Sequence, residues 1–160
     1  MTLNLASILL WGLFATGVMT LITTGGQQLG LSRMSLPFML GSAVTARRPW
    51  TVALGFLMHL VFGCLFATLY GLVFESWGRA VWWTGALLGL YHGLFMLVVV
   101  VSLLPGVHPR MASKHHGPTP TRQLEPPGVL ALNYGRATPL ITLAGHIVYG
   151  MLLSFYTLSG

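Results

Sequence analysis

The sequence predicts an all-α integral membrane protein: a four-helix transmembrane bundle with two structured loops on its cytoplasmic side. Three observations predict it. First, 54% of the 160 residues are hydrophobic and only 6% are charged, where a soluble domain carries about 25% charged residues. Second, four apolar runs each reach the ~20 residues a helix needs to cross a ~30 Å hydrocarbon core. Third, the basic residues lie between those runs and almost all on one side, the pattern of cytoplasmic loops. The length is that of one domain, so residues 1–160 read as a single membrane domain.

The first span covers about 5–24. No basic residue precedes it, so a retained span is expected in place of a cleaved signal peptide. The second covers about 50–74 and the third about 80–104. They are joined only by Glu75-Ser-Trp-Gly-Arg79. The fourth covers about 138–158. Short hairpins predict that consecutive spans are antiparallel neighbours. Glu75 and Arg79 stand at i,i+4 spacing, which predicts an ion pair at the helix end.

Loops 25–49 and 105–137 share one face. They hold Arg33, Arg47, Arg48, Arg110, Lys114, Arg122 and Arg136, while Arg79 is the one basic residue of the opposite face. That bias places the loops in the cytoplasm and both termini outside, in a membrane of the bacterial inner type. The net charge of +6 then reflects topology and anionic lipid head groups, not nucleic acid, because no basic helix stands outside the apolar segments. Loop 25–49 carries Leu31, Met34, Leu36, Phe38, Met39 and Leu40 among polar residues, with Pro37 breaking any long helix. It reads as a short interfacial or re-entrant piece, with Arg47-Arg48-Pro49-Trp50 as its surface anchor. Loop 105–137 is proline-rich and too long for a plain connection. Its Pro126-Pro127-Gly128 and Asn133-Tyr134-Gly135 are turn sequences. Glu125, the one acid on that face, is expected to pair with an arginine.

The candidate site is a set of intramembrane histidines: His59, His92 and His146. Ionisable residues inside a span are expensive and mark functional sites by default. Helical rise places them roughly 13, 18 and 12 Å from the cytoplasmic face, one common level. Each also sits among small residues. Span two reads Gly55-x3-His59-x3-Gly63-x3-Ala67-x3-Gly71, and His92 has Gly85, Gly89 and Gly93 beside it. His146 has Gly145 and Gly150. Small faces are where membrane helices pack, so the histidines are expected to point into the bundle.

Several readings of the cluster stand side by side. The imidazoles tie helices together, with Thr16, Thr20, Tyr91, Thr142 and Tyr149 as partners. Two of them hold haem b, with glycines making room for the macrocycle and Arg110, Arg122 or Arg136 meeting its propionates. Three of them hold Cu or Zn, with Met96 or Cys64 nearby. A proton or substrate path is the last, against which stands the lack of intramembrane carboxylates. Lys114-His115-His116 and His108-Pro109-Arg110 read as a solvated basic surface. The lone cysteine, Cys64, allows no intrachain disulfide.

Enzyme signatures are absent. The chain's two acids are too far apart for paired-carboxylate hydrolysis, and no P-loop, Gly-x-Ser-x-Gly or His-Glu-x-x-His occurs. The leading expectation is a cofactor-binding, electron-carrying or accessory subunit of a membrane redox complex. The alternatives are a structural subunit and a small proton-coupled transporter. Gly12 and Gly17 on span one predict oligomerisation or docking to larger membrane subunits.

Overall fold

A computed structural model describes residues 4–113, 117–122 and 124–159. Among them the regular structure is helical, with four helices long and apolar enough to cross a membrane. Helix α1 spans Leu5–Gln28, α2 spans Leu36–Val44 and α3 spans Arg48–Trp77. Helix α4, Trp82–Phe95, continues through a wide π turn at Met96–Val100 into α5, Val101–Val107, as one span. Helix α6 spans Thr138–Leu153. Large apolar side chains cover the outside, among them Leu10, Leu21, Leu57 and Leu65.

The helix ends follow local chemistry. The Asn4 side chain accepts from Ser7 N and caps α1, and Ser35 caps α2 through Phe38 N. Pro37, Pro49 and Pro139 occupy first turns, where no N–H is needed. Pro37 therefore starts α2. Gly78 ends α3 with φ 63°, the left-handed cap that glycine adopts freely. That cap turns Arg79 off the helical face, and the expected Glu75–Arg79 pair does not form. Among the described residues the one ion pair is Arg33–Glu125, at 3.1 Å. The π turn falls beside a run of four valines, whose branched side chains crowd a regular helix.

The order of the spans departs from the hairpin rule. Helix α4 packs on α6, α6 on α1, and α1 on α3, but α3 and α4 make no extended backbone contact. The reason lies in where each small face goes. A Cβ on Gly85 would lie 2.1 Å from Gly150 O, and one on Gly89 would lie 2.1 Å from His146 O. So α4 gives its glycines to α6. On α3, Gly63 meets Thr16 and Ala67 meets Gly12, which commits that face to α1. The hairpin partners are left apart, with side chains between them.

Helix α2 is the short element of loop 25–49. It lies against α3 so closely that a Cβ on Gly41 would fall 1.7 Å from Thr51 O, and one on Gly55 1.6 Å from Pro37 O. Loop 105–137 completes a cap around it. Met111 bridges Leu124, Ser32 and Thr138 share a 2.8 Å hydroxyl contact, and Arg33 also donates to Asn133 O. Met34, Leu97, Val101, Ala131 and Tyr134 form a buried cluster under this cap. The Tyr134 hydroxyl donates to Glu125 O. Burial first, and then the Glu125 charge, push it up to about 12 against the opposing Arg33, so it remains a donor at neutral pH.

Glycine contacts this close make a firm expectation. Gly55→Ala should destabilise the protein by about 1–3 kcal/mol or more, because the clashing atom is backbone and cannot step aside. Gly17→Ala, with nothing within 4 Å of the added atom, should leave stability unchanged. Graded SDS denaturation of the two variants checks both.

Candidate functional site

A cavity of about 400 Å³ lies inside the bundle beneath α2. Its wall is almost wholly apolar. His59, His92 and His146, on three different spans, all line it. The open seam between α3 and α4 is one of its sides, filled by the Phe66 and His92 rings at 4.0 Å. The common depth read from the sequence is thus matched by a common space.

Each imidazole is held through Nδ1. His59 Nδ1 is 3.1 Å from Thr20 Oγ1. Thr20 donates its own proton to Thr16 O, so it accepts from His59, and His59 Nε2 carries the free lone pair. His146 Nδ1 lies 2.8 Å from Thr142 O. A carbonyl only accepts, so His146 Nε2 is also a bare lone pair. His92 Nδ1 lies 3.3 Å from the Tyr70 hydroxyl. His92 Nε2 is buried with no partner, as is Thr142 Oγ1. Unpaired polar atoms in a buried wall are uncommon and call for a cause.

Of the five expected partners, Thr20 bonds a histidine through its hydroxyl and Thr142 through its carbonyl. Thr16 bonds back to Gly12 O, Tyr149 donates to Gly63 O at 2.6 Å, and Tyr91 is exposed. Tyr70, which serves His92, was not among them. No sequence signal marked it, because its contact with His92 is made across the seam between α3 and α4.

Haem held between His92 and His146 does not fit this geometry. Ligands on opposite sides of an iron are kept apart by the macrocycle, yet the His92 and His146 rings touch edge to face with centroids 4.7 Å apart. The glycines leave no slot. Gly55 is filled by Pro37, Gly63 by Thr16, Gly89 and Gly93 by His146, and Gly145 by Met19. The candidate propionate partners are elsewhere. Arg110 donates to Ser42 O and faces a separate small pocket with Arg48, while Arg136 is exposed, and neither lines the histidine cavity. Arg122 is likewise outside it. For a metal, Met96 is in the cavity wall and Cys64 is not. Among the described residues no three His, Cys, Asp or Glu side chains are grouped to hold an ion.

His108 departs from its sequence reading. It is buried at 8% exposure, not part of a solvated surface. Arg110 N donates to its Nδ1 at 3.1 Å, which leaves Nε2–H to donate to Met39 O at 3.0 Å. Both nitrogens are satisfied, so this histidine fastens α2 to the end of α5. Lys114, His115 and His116 lie outside the described residues.

No protein-family model, curated protein or solved structure matches this chain.

His108→Ala removes one of the bonds to the Met39 carbonyl and leaves the Arg110 amide unpaired, an expected loss of about 1–3 kcal/mol. Hydrogen exchange should show faster exchange of the amides of residues 40–44 while the centre of α6 stays protected. Unchanged exchange in α2 would remove the fastening role.

Proposed function

We propose that this membrane protein is a binding subunit whose cavity holds a small lipid-soluble molecule against His59, His92 and His146. The carrying observation is the cavity itself: three spans each present a histidine to one apolar space, and buried beside it two polar atoms, His92 Nε2 and Thr142 Oγ1, have no partner. Volume favours a small molecule over a bare ion. A metal ion sits about 2.0–2.3 Å from its ligands and calls for no further space. Small-molecule sites occupy roughly 300–1,000 Å³, with mostly apolar walls and a few convergent polar groups. The present cavity, at about 400 Å³, is of the second kind. The chain's lack of catalytic carboxylates supports binding or carriage over turnover. An accessory role in a membrane redox complex is consistent with a lipid-soluble carrier as the ligand.

A second reading is a transition-metal site, favoured by one observation. The Nδ1–H groups of His59 and His146 are anchored and their Nε2 atoms free, as in metal-ligating histidines oriented by an outer partner. Docking to other membrane subunits belongs to either reading. Ala67 takes up Gly12, whereas Gly17 faces open space. The placement of loops 25–49 and 105–137 in the cytoplasm also belongs here, resting on the basic bias.

Purification in mild detergent, followed by organic extraction and mass spectrometry, tests the first reading. A stoichiometric lipid-soluble compound is expected, reduced at least tenfold in a His59→Leu/His146→Leu variant that still inserts. A bare extract together with stoichiometric Cu or Zn would transfer the site to the second reading. Sharp α and β bands on dithionite reduction would restore haem. For topology, a cysteine at Thr119 in a Cys64→Ser background should resist an impermeant thiol reagent added outside intact cells. Ready labelling would invert the orientation.

A further inference from the structure

The three ring tautomers give the cavity a definite hydrogen-bond polarity. His59 and His146 each present a lone pair at Nε2, because their protons are fixed on Nδ1 by Thr20 Oγ1 and Thr142 O. His92 is the reverse. The hydrogen bond shown for the Tyr70 hydroxyl is to His92 Nδ1. With His92 Nδ1 as the donor, both the Tyr70 proton and the Nε2 lone pair would go unmet, whereas with Tyr70 as the donor one group does, and each unmet polar group is costly inside the bundle. Tyr70 therefore donates, and His92 holds its proton on Nε2, buried and unpartnered. The wall offers two acceptors, from His59 and His146, whereas the His92 Nε2–H and the Thr142 hydroxyl are buried behind it.

We propose that the cavity selects the hydroxyl-bearing, reduced member of a lipid-soluble quinol/quinone pair over its carbonyl form. The inference rests on the small-molecule reading above and specifies its ligand. A quinol carries two O–H donors for the two histidine lone pairs. A quinone has only acceptors, so it sets its lone pairs against those of His59 and His146. A single-hydroxyl lipid satisfies only one of those two nitrogens. The flat ring is matched by aromatic walls. Phe62, Phe66 and Phe95 line the cavity, and Phe66 lies against His92 at 4.0 Å. Binding alone is inferred, with no transfer of electrons.

The test uses the full chain in lipid nanodiscs under anaerobic conditions, titrated calorimetrically with decylubiquinol and, separately, with decylubiquinone. The quinol is expected to bind at least about tenfold more tightly, since sites built to pair a hydroxyl reject analogues lacking it. Thr20→Val frees the His59 proton to move to Nε2, where it can meet a carbonyl, so the ratio should shrink. Thr20→Ser keeps the hydroxyl and should keep the ratio. Equal affinities, tighter quinone binding or no binding of either would overturn the inference. The extraction experiment judges the small-molecule reading separately: a bound lipid-soluble compound without hydroxyls would leave that reading standing and remove this one.

Discussion

Lipid tails are as apolar as the side chains they surround, so the spans gain little from hiding leucine from the bilayer. They are held where backbones touch. In this protein those contacts are glycine to carbonyl: Gly85 and Gly89 on α4 against Gly150 and His146 on α6, and Gly41 on α2 against Thr51 on α3. The remaining architecture follows from which helix receives each small face. Because α4 gives its glycines to α6, and α3 gives its own to α1 and α2, the two helices of the shortest hairpin are left apart. The space between them is the side of the cavity.

The same contacts set the histidines. Gly93 leaves room for the His146 side chain, and Gly89 lets the backbone of α6 approach, which brings the His146 ring onto His92. The hydroxyls and carbonyl that hold each Nδ1 lie on packed helices, so ring orientation is a product of helix packing. His108 acts differently. It is paired at both nitrogens and closes α2 over the cavity. The four described histidines all line the cavity, and they divide into three held through Nδ1 alone and one whose hydrogen bonding is complete.

Charge is arranged to match. With two acids in the chain, one is used to pin the cap through Arg33, and the other stands at the far end of α3. Arg110 is satisfied by a carbonyl instead, Ser42 O at the end of α2. A cation there also complements the negative end of that short helix.

Composition and the four apolar runs located the four helices long and apolar enough to cross a membrane to within a few residues, because a bilayer imposes a minimum length that any spanning sequence must display. The histidine level was legible too, since helical rise converts residue number into depth. The Gly55–Gly71 stripe with His59 on it marked the buried face of α3. What the sequence could not decide was azimuth and neighbour. Short connections pointed to α3 against α4, but glycine contact overrode chain proximity, and that preference appears only when the helices are set against one another. Tyr70 as the His92 partner, the burial of His108 and the absence of a slot for a macrocycle all depend on contacts between residues far apart in the chain. For the same reason the cavity is a tertiary fact. It is the volume left over when each small face has found its partner, and no single helix encodes it.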